Sequence, residues 1–221
     1  MKEHPILFSG PMVRAILAGR KTQTRRVIQL RNPNQPFADI VVTFGYSASG
    51  ESTYAGFGNL ADPVYVRCPY GQPGDLLWVR EKFLVWEGGA GGLDPDSLTY
   101  QDDPQWEHQL FDNGELDDAL PPEDDGVVGR WKVHPSIHMP RWASRITLRV
   151  TDVRVQRVQE ISEEDAIAEG ITRWEGDRLQ RGDKGARNDF SRLWDSINAK
   201  RGYSWESNPF CWAITFERVT P

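Results

Sequence analysis

The chain has 221 residues, 38% of them apolar and nine of them Trp, with a formal net charge of −6; that is material for one large folded domain or two small ones. No run approaches the roughly 18 uninterrupted apolar residues of a membrane span, and Met1-Lys2-Glu3-His4-Pro5 lacks the basic-then-apolar layout of a secretory leader. Only two cysteines occur, Cys68 and Cys211, far apart and without a CxxC partner, which excludes a cysteine zinc ribbon or a disulfide framework and predicts a reduced, cytoplasmic protein with no membrane association.

In chain order, residues 11–18 predict a short helix: Pro11 suits its first turn, Met12/Val13 and Ile16/Leu17 recur at helical spacing, and Gly19 suits the left-handed position after it. Residues 24–30 predict a strand that ends at the breaker Asn32-Pro33-Asn34-Gln35-Pro36. A strand near 40–44 precedes a Gly/Ser-rich turn at 45–50. Pro73-Gly74-Asp75 predicts a turn that launches a mostly buried strand over 76–83.

Arg145–Val158 alternates apolar and polar residues, with one core face, one wet basic face and a register shift near Thr151-Asp152. Ser162 is placed to cap a helix whose first turn, Glu163-Glu164-Asp165, favours the positive end of the dipole and which Gly170 ends. Residues 171–187 read as loop, 189–198 as a helix through Phe190, Leu193, Trp194 and Ile197, and 210–219 as a closing strand. The sum is an α+β chain: a small mixed β-barrel with two or three flanking helices, taken as one domain over 1–221, with an acidic surface insertion at about 87–128.

The net charge hides a split. Between Glu87 and Asp125 lie thirteen carboxylates and no Lys or Arg, so the rest of the chain carries −6 + 13 = +7. Residues 14–31 hold six basic residues and no acid, and residues 130–157 hold seven against Asp152. Local field rather than total charge steers a polyanion, so a basic face on this acidic chain is compatible with a nucleic-acid partner. Solvated strand faces account for the same arginines without any partner.

The densest chemistry is Ala18-Gly19-Arg20-Lys21-Thr22-Gln23-Thr24-Arg25-Arg26, where a helix end turns into a strand. Alternation puts Thr22, Thr24 and Arg26 on one face and Gln23 and Arg25 on the other. Crowding by Arg20, Arg25 and Arg26 disfavours the charged form of Lys21, as a general base near neutral pH requires. A Thr hydroxyl within its reach is a candidate nucleophile. The plainer alternative is a basic patch that touches phosphates. His134 and His138 are four apart, but Pro135 and Pro140 argue against the helix that would make this a metal pair, and no third ligand is evident. No metal or cofactor is expected. His138, Arg141 and Trp142 suit a binding loop, with Trp stacking on a base and Arg meeting phosphate; a packed turn with Trp142 in the core is the alternative. Lys200-Arg201 beside Tyr203 and Trp205 reads as a helix C-terminus complemented by basic residues.

Ile16-Leu17-Ala18-Gly19-Arg20-Lys21-Thr22-x-Thr24-x-Arg26 resembles the Lys-bearing signature region of the ASCH domain, a branch of the PUA-like superfamily. Pro73-Gly74-Asp75-x-x-x-Val79, Ile161–Gly170 and Trp212–Phe216 are similar to its barrel turn, its helix after the long strand and its closing strand. The layout, with Pro135–Trp142, is similar to ASCH proteins of phage and prophage genomes. The resemblance covers about 1–30, 65–86 and 140–221.

It implies an RNA- or nucleobase-binding barrel with a cleft beside the Lys-bearing loop, and the run I-L-A-G-R-K-T-x-T is similar to bacterial N4-acetylcytidine amidohydrolases. By motif position the implied catalytic set is Lys21, Thr24 and Glu169, with Arg20, Thr22, Arg26, His138, Arg141 and Trp142 toward the substrate. In the implied mechanism Lys21 deprotonates Thr24 or a water, Glu169 protonates the leaving cytosine amine, and a neighbouring Arg holds the oxyanion. Three readings follow: hydrolysis of an N4-acylated pyrimidine base or nucleoside; non-catalytic binding of a nucleic acid, RNA in preference to modified DNA; and an accessory role in which the acidic insertion meets a protein partner.

Overall fold

The computed structural model describes residues 1–29, 43–46, 53–57, 64–87, 95–100, 130–171 and 185–219. The class is α+β. Strands β1 (Glu3–Leu7), β2 (Gln23–Val27), β3 (Thr43–Tyr46), β4 (Thr53–Phe57), β5 (Val64–Arg67), β6 (Leu76–Arg80), β7 (Phe83–Glu87), β8 (Thr99–Tyr100), β9 (Arg130–His134), β10 (Thr147–Arg157) and β11 (Phe210–Val219) are joined by helices α1 (Gly10–Leu17), α2 (Glu163–Ala168) and α3 (Ala186–Asn198). One sheet has the order β1-β6-β10-β11-β2, and two three-stranded sheets have the orders β3-β4-β5 and β8-β7-β9. Among the described residues these sheets do not close into a barrel.

The chain divides into two compact units: Met1–His4, Ala15–Leu77 and Leu148–Pro221 form one, and Pro5–Arg14 with Trp78–Thr147 the other. In the first unit, β11 pairs antiparallel with β2, Ile214 opposite Thr24 and Thr215 opposite Gln23. The closing strand is buried along most of its length, with Cys211, Trp212, Ala213 and Ile214 at 1% exposure or less, as its continuous apolar run predicts. Phe190 and Trp194 of α3 pack with Val158, Ile161, Ala166 and Cys211. The Trp194 indole N–H donates to the Tyr203 carbonyl at 2.8 Å, and Gly202 takes φ +84° after the turn Ala199–Arg201, so this basic segment closes a helix. Ser162 Oγ accepts the Asp165 N–H at 3.1 Å and caps α2.

The second unit has its own cluster of Phe83, Val85, Met139 and Ala143, with β7 central to a sheet in which Phe83 faces His134.

Several expectations differ from the structure. The strand over 76–83 is two strands, interrupted at Glu81-Lys82, because the Glu81 carboxylate, 3% exposed, turns to a fork of two 3.0 Å hydrogen bonds from Arg145. The long strand shows the expected register shift, its buried set changing parity between Val150 and Val153, but no turn ends it there and it runs unbroken from Thr147 to Arg157. Helix α3 begins at Ala186, three residues before Asp189, since Ala186 is itself core. β1, β4, β5, β8 and β9 had no counterpart in the expected elements. The breaker at 32–36, most of the turn at 45–50 and most of the loop at 171–187 and of the acidic stretch lie outside the described residues. No helix among the described residues is long and apolar enough to cross a membrane.

Candidate functional site

Helix α1 ends with Gly19 at φ +70°, and the Arg20 and Lys21 amides both return to the Ala15 carbonyl, at 2.9 and 3.1 Å. That turn delivers Lys21 to a one-residue antiparallel bridge with Glu169, reinforced by the Thr22 N–H on the Ala168 carbonyl at 2.8 Å. On the other side of the bridge Gly170 has φ +90°, and a Cβ there would lie 3.1 Å from the Lys21 Cβ and 3.2 Å from the Ala15 Cβ. A glycine is required on both counts.

From Lys21 onward the alternation of an extended chain governs the chemistry. Lys21, Gln23 and Arg25 direct their side chains to one place, where α2 and its C-terminal residue present Asp165 and Glu169, one helical turn apart. Lys21 Nζ donates to Glu169 Oε2 at 2.6 Å, to the Glu169 carbonyl at 2.8 Å and to the Gln23 carbonyl at 2.8 Å. Gln23 Nε2 donates to Asp165 Oδ1 at 3.1 Å and to Thr215 Oγ1 at 3.3 Å. Arg25 donates to Asp165 Oδ2 at 2.6 Å, to Gln156 Oε1 at 3.2 Å and to Gln23 Oε1, and its Nη1 lies 3.5 Å from Glu169 Oε1. Arg154 joins from β10, 3.2 Å from Asp165. Lys21 and Arg25 side chains are fully buried and that of Glu169 is 4% exposed.

Burial lowers the Lys21 pKa more than Glu169 raises it, with Arg26 and Arg25 adding to the decrease. The direction is the one the sequence predicts, but desolvation is the leading cause and crowding by arginine a lesser one; Arg20 is exposed. Burial pushes Asp165 up, yet hydrogen bonds from Arg25 and Gln23 and the charges of Arg25 and Arg154 hold it below the ordinary value. Glu169 Oε2 is committed to Lys21, whereas Oε1 is buried and receives no hydrogen bond among the described residues.

Of the expected site residues, Lys21 and Glu169 are thus in direct contact. Thr24 is buried on the opposite face of β2 from Gln23 and Arg25, paired with Ile214. Thr22 and Arg20 are exposed and Arg26 is half-buried. Burial lowers the Arg26 guanidinium pKa, opposed by Tyr70 and Glu169. His138, Arg141 and Trp142 belong to the second unit, in the 3-10 turns Ser136–His138 and Arg141–Ala143. All three are exposed, Trp142 at 51%, so Trp142 is a surface residue and not part of the core. His134 ends β9 stacked on Phe83 at 5.0 Å, and His138 sits in a separate turn, so the two do not share a helix face. Among the described residues no group of three or more His, Cys, Asp or Glu is disposed to hold a metal.

Sequence reasoning missed Gln23, Arg25 and Asp165 as site residues. Their signal was present in the parity of Gln23 and Arg25 with Lys21 and in the four-residue spacing of Asp165 and Glu169. Comparison with protein-family models, with curated proteins and with solved structures finds no match to this chain.

Proposed function

We propose that the chain is a PUA-like, ASCH-type protein that takes up a pyrimidine base or nucleoside acylated on N4 and hydrolyses that amide, with Glu169 carrying the proton. The observation that supports this reading is the Lys21–Glu169 ion pair. Two residues that the resemblance assigns to one catalytic set, 148 positions apart, meet at 2.6 Å. The order helix, Lys-bearing turn, strand, long strand, capped helix and closing strand supports the PUA-like architecture.

The geometry redistributes the roles. Three oxygens surround Lys21 Nζ, which suits an ammonium with three hydrogens and not an amine with two. Lys21 therefore orients Glu169 and fixes its charge, and the proton acceptor is Glu169 Oε1. Water adds to the acyl carbonyl carbon as Oε1 takes its proton, and the C=O electron pair moves to oxygen. A neighbouring guanidinium, that of Arg25, whose Nη1 lies 3.5 Å from Glu169 Oε1, offsets the oxyanion. Collapse breaks the C–N4 bond as the Glu169 proton passes to N4, releasing the amino base and a carboxylic acid. Oε1 is covered in the structure, so uptake of the acyl group requires local side-chain movement. Alternation along the strand turns Thr24 to the face opposite Gln23 and Arg25, which favours water as nucleophile.

The test is turnover of N4-acetylcytidine by the purified protein. Glu169→Gln lowers it by about 10²–10⁴-fold, and Thr24→Val by much less. A folded, monodisperse sample without turnover, or a Glu169→Gln protein as active as the parent, overturns the reading.

A further inference from the structure

Arg25 stands between two carboxylates and serves them unequally. Its guanidinium is fully buried; Nη2 lies 2.6 Å from Asp165 Oδ2, whereas Nη1 stops 3.5 Å from Glu169 Oε1. The first distance is that of a charge-assisted hydrogen bond. At the second, Oε1 is within the field of the cation but receives no hydrogen bond among the described residues. Asp165 and Glu169 are one helical turn apart, so a single guanidinium can reach toward both.

Gln23 holds this division in place. Arg25 Nη1 donates to Gln23 Oε1, and Gln23 Nε2 donates to Asp165 Oδ1 at 3.1 Å. With the bond from Arg25 Nη2 to Asp165 Oδ2, these close a ring of three side chains in which each hydrogen bond orients the next. Gln156 Oε1 accepts a further N–H from Nη2 at 3.2 Å, and the Phe190 ring lies 5.9 Å from the guanidinium carbon. Arg154 completes the surroundings of Asp165 from β10, 3.2 Å from Oδ1, and is itself 3.3 Å from Asp152. The ring therefore sets where Arg25 sits and how far it stays from Glu169.

That distance matters to a proton acceptor. A guanidinium bonded directly to Oε1 would occupy the lone pair that must receive the proton of water, and would stabilise the charged carboxylate and so weaken it as a base. A guanidinium withdrawn altogether would leave the oxyanion without this cation. We propose that Asp165 is a positioning residue, drawing Arg25 away from Glu169 Oε1 while the ring keeps the guanidinium beside the reacting centre. The inference rests on the reading of Glu169 as proton acceptor. Among the described residues, the titratable groups that face Glu169 are Lys21 beside it, Arg25 and Arg26 from β2, and Cys211 from β11, a thiol that burial keeps neutral.

The experiment takes two readouts on the full chain. Carbon NMR with glutamate labelled at the carboxyl carbon follows Glu169 through a pH titration, its signal identified by its loss in Glu169→Gln; kcat and KM for N4-acetylcytidine are measured over the same pH range. In Asp165→Asn the released guanidinium closes on Oε1. The Glu169 titration and the acid limb of kcat/KM then move to lower pH by about one unit, and kcat falls by up to about tenfold with KM little changed. Gln23→Leu, a neutral substitution that releases Nη1, moves the titration in the same direction. Asp165→Glu keeps the anion and stays closer to the parent. In an Arg25→Gln background, Asp165→Asn has no comparable effect. Circular dichroism of each variant verifies the fold. A titration that does not move to lower pH in folded Asp165→Asn or Gln23→Leu overturns the proposal, as does an equal movement in the Arg25→Gln background, which would indicate direct repulsion between the carboxylates. The expected movements in a protein that does not turn over N4-acetylcytidine support the positioning of Arg25 by Asp165 and overturn the hydrolysis reading alone.

Discussion

Lys21 Nζ reaches both the side chain and the main chain of Glu169, 2.6 Å from Oε2 and 2.8 Å from the carbonyl oxygen. One ammonium therefore fixes the rotamer of the carboxylate and the end of the helix that carries it. The same two residues form the backbone bridge, so position 21 is tied to position 169 by three kinds of contact.

Removing the ammonium leaves a buried carboxylate short of its principal counterion. Lys21→Ala is expected to lower stability by about 3–5 kcal/mol. Replacing both residues, Lys21→Met with Glu169→Leu, is expected to restore much of that loss, because no charge is then stranded. Urea unfolding of the two proteins checks this; a double variant no more stable than the single one contradicts it.

Two glycines with left-handed backbones separate conformational strain from crowding. Gly19→Ala meets nothing within 4 Å, whereas Gly170→Ala adds a carbon 3.1 Å from Lys21 and 3.2 Å from Ala15. The first is expected to cost about 1–2 kcal/mol for the backbone alone, and the second to add a further ~1–3 kcal/mol of overpacking. Equal unfolding free energies for the two variants would show that the bridge accommodates a methyl group.

The network also sets an acid limit. Asp165 is held below the ordinary aspartate value of 3.8, so its ionised form is the one the fold prefers. Its contribution is complete above the unfolded value of about 4 and is lost as pH falls through the lower folded value. The stability difference between the parent and Asp165→Asn is expected to be constant near neutral pH and to shrink at acid pH. A difference that does not change down to pH 2 would remove Asp165 from the linkage.

In the second unit Glu81 depends on the planar fork of Arg145. Arg145→Lys keeps the charge and loses the two parallel hydrogen bonds and the stacking on Tyr100. A measurable fall in melting temperature is expected for Arg145→Lys, and a larger one for Arg145→Ala. An Arg145→Lys protein that melts with the parent would show that charge alone suffices.

Both cysteines are free and buried, and burial pushes each thiol up to about 12. A thiol-specific reagent at pH 8 is expected to label neither in the native protein and both after unfolding in guanidinium. Rapid native labelling of either residue would contradict its burial.

Local chemistry made much of this legible. Ser162 before three acids and Gly170 after them bracket α2 because capping and the helix dipole act within one turn. The first half of the closing strand, Phe210–Ile214, is buried, as its continuous apolar run suits. Lys21 was legible from the basic residues crowded around it, Glu169 only through resemblance, and the shared face of Gln23 and Arg25 through their parity. The strands β4 and β5 are short, and what makes Thr53–Phe57 and Val64–Arg67 strands is their pairing with each other and with β3, a relation that neither segment carries by itself.

Tertiary structure alone decided which partner each charge would have. Alternation predicts that Gln23 and Arg25 face one way, but not that Asp165 and Glu169 wait there. Composition predicts a basic face over Arg145–Arg157, but burial of Glu81 turns Arg145 inward to an ion pair, and Asp165 draws in Arg154. The distinction is one of range. Backbone capping, periodicity and turn chemistry act over a few residues and are written in order along the chain. Desolvation and ion pairing depend on what lies opposite in space, here 148 residues away, and exist only once the chain has folded.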